Sequence, residues 1–211
     1  MAYFPFMIDI SGRKCLVVGG GKVAFHKIKI LLRFGVKIFA AAPLFSEEFQ
    51  CLKKGDGQVT FLQREFADSD IDGMDFVVAA TGEESVNLHI SKLCRERGIL
   101  INVVDNKEAC SFLFPAMIEE KDLLVAVSSG GKSPASVSYL KKKIQEAIPD
   151  YYGEMTEKLG AFRGEILRDV DAADKRRQIF YQLLAYGDTH GGDIPVSEVR
   201  RLIMESKCIK L

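Results

Sequence analysis

The run Lys14-Cys-Leu-Val-Val-Gly19-Gly20-Gly21-Lys22-Val23-Ala24 holds the residues whose spacing most clearly implies chemistry. Gly19, Gly21 and Ala24 fit G-x-G-x-x-[G/A]. They follow an apolar, β-branched run and precede a helical pattern with Ala24, Ile28, Leu31 and Leu32 on one face. Each position has a physical reason. Gly19 permits a tight turn, Gly21 lets a pyrophosphate approach the backbone, and Ala24 lets the helix pack closely on the strand. The helix start then offers free N–H groups and a positive dipole end to phosphate. A glycine-rich turn without a ligand is the plainer reading, but the strand–turn–helix context favours a dinucleotide.

Other groups are candidates for the reaction itself. Asp105 closes the buried run Ile99-Leu-Ile-Asn102-Val-Val-Asp105, at the sheet edge where α/β enzymes keep their chemistry. Two readings fit it: a general base, or a turn-forming Asp ahead of Asn106. The second glycine turn, Ser128-Ser129-Gly130-Gly131-Lys132, has the composition of an anion-binding nest and equally that of a plain loop. Of the three histidines, His26 and His89 read as exposed helix residues and His190 as a loop residue. No H-x-x-x-H and no mixed His/Cys cluster offers a metal cage, so no metal site is expected.

The elements that must position these groups follow from periodicity. Strands are expected at Leu16–Val18, Val36–Ala41, Gln58–Gln63, Asp75–Thr81 and Ile99–Asp105. Helices alternate with them: one from the glycine turn, a short one at Ser46–Lys54 capped by Ser46, and one marked by Val86, Ile90, Leu93 and Cys94 and stopped by Gly98. This alternation predicts an α/β, Rossmann-type, doubly wound parallel sheet. Beyond it, Ser111–Ile118 and Leu123–Ser128 read as two strands joined by the charged turn Glu119–Asp122. Ser133 and Pro134 then open a helix running to Ile148. Past Pro149, Met155, Leu159, Phe162 and Ile166 share one helical face, and two more helices follow at Gln178–Tyr186 and Val196–Ser206. The expected division is therefore 1–111 as a nucleotide-binding domain, 112–149 as a small α+β dimerisation segment, and 150–211 as an all-helical C-terminal module.

Composition narrows the function. The formal net charge of the 211 residues is zero, which argues against a general nucleic-acid or membrane-surface binder. No apolar run of about 18 residues occurs, so no membrane span is expected. The opening Met1-Ala-Tyr-Phe4-Pro5-Phe-Met-Ile lacks the basic region of a signal peptide and reads as an apolar arm packed on the first strand. Five scattered cysteines without a C-x-x-C indicate neither a disulfide framework nor structural zinc, and a cytoplasmic location is expected. At the tip of the second strand, Ala40-Ala41-Ala42-Pro43-Leu44 carries neither the acid that usually holds ribose hydroxyls nor a cation for a 2′-phosphate. NAD and NADP stay open on these residues.

Taken together, these stretches resemble the precorrin-2 dehydrogenase / sirohydrochlorin ferrochelatase family, also found as the N-terminal part of sirohaem synthases. The resemblance rests on Phe4-Pro5, GGGKVA with Lys27 one turn on, AATGEESVN from Ala79, NVVD from Asn102, SFLFPA from Ser111 and VSSGGKSP from Val127. One departure is Asn106-Lys107, where the family commonly has a proline after NVVD. The resemblance implies NAD-dependent oxidation of precorrin-2 to sirohydrochlorin, with Asp105 as general base. It implies that Gly19, Gly21, Lys22, Val23, Pro43 and Leu44 flank the adenosine and phosphate side of NAD, with Thr81 and Val103 near the nicotinamide half. Ser128, Lys132 and Arg163 are the expected contributors to binding the tetrapyrrole carboxylates. A homodimer built by the segment after Ser111 is implied as well. A bifunctional dehydrogenase and ferrochelatase is the near alternative; a non-catalytic NAD-sensing module is the alternative of another class.

Overall fold

The structure, a computed structural model, describes residues 3–53 and 57–208, and the side chains of Lys53 and Cys208 lie outside the description. The chain divides into two compact units, Met1–Phe114 and Pro115–Leu211.

In the first unit, five strands form one parallel sheet: β1 (Lys14–Val18), β2 (Lys37–Ala41), β3 (Val59–Leu62), β4 (Phe76–Ala79) and β5 (Leu100–Val103). Their order is β3-β2-β1-β4-β5, with every pairing parallel, as the alternating pattern predicts. Period two along β1 explains why both faces must be covered. Cys15 and Val17 are buried among residues that include Phe25, Ile28 and Leu31 of α1 (Lys22–Leu32). Leu16 and Val18 are buried on the other face with Ile90 and Cys94 of α3 (Glu84–Glu96). Each such fully buried aliphatic side chain stabilises the sheet by about 1.5–3 kcal/mol relative to exposure. Between them, α2 (Gln50–Lys53) continues a 3-10 turn at Glu47–Phe49, whose Phe49 is buried against α1.

The register matters for function. Val18 pairs with Ala79, and Ala79 with Val103, so β1, β4 and β5 end level with one another. The strand order reverses direction at β1 and β4, which is where a ligand crevice opens in a doubly wound sheet. Gly19, Thr81 and Asp105 follow those strand ends on one edge.

The second unit pairs β6 (Ala116–Glu120) with β7 (Leu123–Val127) in an antiparallel hairpin. Four helices follow: α4 (Pro134–Ala147), α5 (Tyr152–Asp169), α6 (Ala173–Thr189) and α7 (Val196–Cys208). Ser133 caps α4 through Ser136 N–H, with Pro134 in its first turn. Met155, Ile166, Ile179, Leu183, Val199 and Leu202 of α5, α6 and α7 form one buried cluster, with Leu159 and Phe162 packed against it. By contrast, α4 buries no residue, and its Tyr139 and Leu140 are exposed. Among the described residues no helix is long and apolar enough to cross a membrane.

Four local expectations are corrected. Among the described residues the N-terminal arm does not pack on the first strand: Phe4 and Phe6 are 74% and 73% exposed, Met7 and Ile8 are exposed, and Ile10, just past the arm, packs against the core. The strand expected at Ser111–Ile118 starts only at Ala116. Residues 111–114 instead lie beside β5, where Ile101 N–H donates to Ser111 Oγ at 2.8 Å and Asn102 Nδ2 donates to the Phe112 carbonyl at 3.0 Å. Consequently Glu119 and Glu120 belong to β6, and the turn shrinks to Lys121-Asp122, with Lys121 left-handed (φ 55°). Ser46 makes no side-chain capping bond. Its N–H donates to the Gly20 carbonyl at 2.8 Å, tying the helix start to the glycine turn; Lys54 lies outside the described residues.

Candidate functional site

The three glycines of the first turn do different work. Gly19 sits at φ +132°, and a Cβ there would run into the Ala80 carbonyl at the end of β4. A Cβ on Gly20 would run into the Leu44 carbonyl. Both positions are therefore closed by the protein's own backbone. Gly21 differs: its backbone is extended (φ −91°, ψ 179°), and a Cβ there would meet nothing within 4 Å. No side chain caps α1, and no acid stands in its first turn. An uncapped positive helix end beside open space is what a pyrophosphate requires, so these residues fit a dinucleotide. Around the turn, Lys22, Val23, Pro43 and Leu44 are all exposed, Leu44 at 80%. Exposed apolar groups here offer a surface for an adenine ring.

On the β4 side, Thr81 is committed to its own turn. Asn87 Oδ1 accepts from Thr81 N–H at 3.2 Å and lies 2.8 Å from the Thr81 hydroxyl, while Asn87 Nδ2 donates to the Thr81 carbonyl at 3.1 Å. Buried Asn87 thus fixes the β4–α3 connection. Asn87 lies in the first turn of α3, and its place at the end of AATGEESVN does not by itself announce this bracing role.

On the β5 side, Val103 is buried in the core, and Asp105 stands two residues beyond the strand with its side chain exposed. Asp105 is left-handed (φ 60°), a conformation Asp and Asn tolerate better than other side chains. The turn that carries it is closed by a buried thiol. Cys110 Sγ accepts from Val103 N–H at 3.1 Å and lies 3.2 Å from both the Val103 and Asn106 carbonyls. Asn106 Oδ1 accepts from Ala109 N–H at 3.2 Å and caps the following 3-10 turn, Lys107–Ala109. Asp105 is therefore held between two residues anchored to one sulfur. Burial pushes the Cys110 thiol above its ordinary range, which keeps it a neutral hydrogen-bonding group.

Lys27 also belongs to this neighbourhood. Its ammonium lies 4.1 Å from the centroid of the Phe114 ring. Burial lowers its pKa, and the nearby Cys110 and Asp105 partly offset that. The contact depends on where Phe114 returns after β5.

In the second unit, Ser128 and Lys132 share the glycine turn and are exposed. Ser128 Oγ accepts from Gly130 N–H at 3.1 Å, Ser129 Oγ accepts from Ser133 N–H at 2.9 Å, and Gly130 and Gly131 are left-handed. Arg163 is exposed on α5. His26 is exposed on α1, His89 lies 2.8 Å from Asp68 Oδ1, and His190 stacks on Tyr186. Among the described residues, no group of three or more His, Cys, Asp and Glu side chains is placed to hold a metal ion. Cys15, Cys51, Cys94 and Cys110 are free thiols, and burial pushes that of Cys94 up to about 11.

Comparison with known proteins adds a family, two relatives and a solved structure. The sequence model of the family described as "Putative NAD(P)-binding" matches residues 6–116. The chain is 37% identical over 184 residues to the "Siroheme synthase" of Thioalkalivibrio sulfidiphilus, covering 87% of this chain and 37% of that protein. It is 36% identical over 183 residues to the "Siroheme synthase" of Photobacterium profundum, covering 87% and 39%. The chain thus spans about two fifths of the length of these curated relatives. A solved structure described as "SirC, precorrin-2 dehydrogenase" superposes with a TM-score of 0.75 at 23% identity, covering 97% of this chain and 99% of that one. The fold is shared along nearly the whole chain.

Proposed function

This chain belongs to the NAD(P)-binding family whose model it matches, and on that premise we propose that it oxidises precorrin-2 to sirohydrochlorin with NAD⁺. The observation that carries the reading is the level ending of β1, β4 and β5. It sets the open glycine turn and the exposed carboxylate of Asp105 on one edge of one sheet. The reaction removes a hydride and a proton from the tetrapyrrole. NAD⁺, when bound, supplies the two-electron acceptor. Gly21 and the uncapped start of α1 hold its pyrophosphate, with Lys22, Val23, Pro43 and Leu44 around the adenosine. Thr81, braced by Asn87, and the backbone following Val103 border the nicotinamide half. Asp105 takes the proton, held in position by the Cys110-closed turn. In the second unit, the exposed hydroxyl of Ser128 and the cations of Lys132 and Arg163 have the chemistry that tetrapyrrole carboxylates require. The siroheme synthase names of the relatives agree with this reading.

The test is direct. Mixing the protein with precorrin-2 and NAD⁺ under nitrogen is expected to raise NADH absorbance well above the protein-free rate. Binding of NAD⁺ with no turnover would leave a sensing module and overturn the dehydrogenase.

We further propose that the protein is a homodimer. A two-stranded hairpin is not stable by itself, and α4 leaves Tyr139 and Leu140 uncovered. A second copy covering this surface would bury beyond about 2,000 Å² in total. Sedimentation velocity at micromolar concentration is expected to show a dimer, and a monomer there would refute it.

A further inference from the structure

The strand tip that usually separates NAD from NADP carries no charge in this chain: β2 ends at Ala41, and Ala42-Pro43-Leu44-Phe45-Ser46 follow. A carboxylate next to the adenosine ribose normally accepts from the 2′-hydroxyl and repels a 2′-phosphate. The next turn, Glu47–Phe49, carries a carboxylate, Glu48. The loop is fastened to the glycine turn at two points. Ser46 N–H donates to the Gly20 carbonyl at 2.8 Å, and the Leu44 carbonyl packs so closely on Gly20 that no Cβ fits between them. This brings the turn Glu47–Phe49 to the start of α1, where Glu48 Oε1 lies 3.7 Å from Lys22 Nζ. Lys22 is the first residue of α1 and follows open Gly21 directly. A lysine there opposes the helix dipole, and α1 has no acid of its own in that turn. Glu48 is the group that offsets it.

We propose that Glu48 selects NAD⁺ over NADP⁺. It occupies the role of the absent strand-tip acid from the following turn. It neutralises Lys22, which would otherwise welcome a 2′-phosphate beside the glycine turn, and adds a negative charge on the same side. Glu48 is ionised at neutral pH, so the discrimination is Coulombic. Like charges about 6 Å apart repel by about threefold in binding at the dielectric of water and by about a hundredfold at that of a protein surface, so about tenfold is expected for the partly exposed Glu48.

This inference rests on dinucleotide binding at the glycine turn, and the experiment separates the two. Dissociation constants for NAD⁺ and NADP⁺ are measured by calorimetry for the wild-type chain, Glu48→Gln and Glu48→Gln/Lys22→Gln, at about 0.05 and 0.5 M salt. The wild type is expected to prefer NAD⁺. In Glu48→Gln the ratio of the two constants should move toward NADP⁺ by about tenfold. The shift should shrink at high salt, where screening is strong. The double variant should lose most of the gain, because the freed Lys22 is what the 2′-phosphate meets. Thermal melts of all three chains identify any loss of fold. An unchanged ratio in a folded Glu48→Gln, or a wild type that prefers NADP⁺, overturns Glu48 and leaves the dinucleotide site standing. A wild type that binds neither dinucleotide overturns both.

Discussion

Asp105→Asn is expected to slow precorrin-2 oxidation about 10²–10⁴-fold, the usual cost of removing a general base, with NAD⁺ affinity and melting temperature close to wild type. Asparagine is the informative replacement because Asp105 is left-handed (φ 60°), and asparagine tolerates that conformation. It keeps the shape and the turn and removes only the capacity to accept a proton. Asp105→Ala should lose as much activity and in addition about 1 kcal/mol of stability, since alanine gains nothing from the left-handed region. Single-turnover NADH formation under nitrogen checks the rate, and calorimetry checks the cofactor. An Asn variant that keeps most of its turnover would place the base elsewhere. Cys110 offers an independent check on the same turn, because its sulfur joins Val103 and Asn106 on either side of Asp105.

Gly21→Asp is expected to weaken NAD⁺ binding by about 100-fold or more without unfolding the protein. The two halves of that expectation have separate causes. A side chain at Gly21 meets open space, and the extended backbone there suits any residue. Aspartate is also among the preferred helix N-caps, so the melting temperature should hold or rise slightly. What the variant loses is room and charge complementarity for a pyrophosphate at the positive end of α1. Gly20→Ala makes the contrasting control. Its Cβ would strike the Leu44 carbonyl, so it should cost about 1–3 kcal/mol of stability through overpacking. Calorimetric titration together with thermal melts distinguishes the two. Undiminished NAD⁺ affinity in a folded Gly21→Asp would remove the glycine turn from the cofactor site.

Much of the first unit is legible in the order of its residues. Alternating strand and helix patterns, the apolar runs at Leu16–Val18 and Phe76–Ala79, and Gly98 past its helix reflect local physics: side-chain periodicity and the conformations glycine allows. Ser133 and Pro134 announced α4 for the same reason, since a helix start is settled within four residues. The apolar arm departs from expectation because hydrophobicity states that a segment gains by burial and does not state against what. The strand expected from Ser111 starts later because Ser111 and Phe112 spend their polar groups on Ile101 and Asn102, ten residues away in sequence.

The glycine spacing and the neutral strand tip were settled by the order of residues alone, because both depend on which side chains are absent. Only the tertiary structure decided which glycine is open, since the atoms closing Gly19 and Gly20 belong to Ala80 and Leu44. It also decided that Thr81 is braced by Asn87, that one thiol closes the turn of Asp105, and that Glu48 reaches Lys22. Each of these is a meeting of groups from separate stretches of chain. Periodicity says which face a residue takes, whereas contact across a sheet edge depends on register and loop path, which the whole fold determines together.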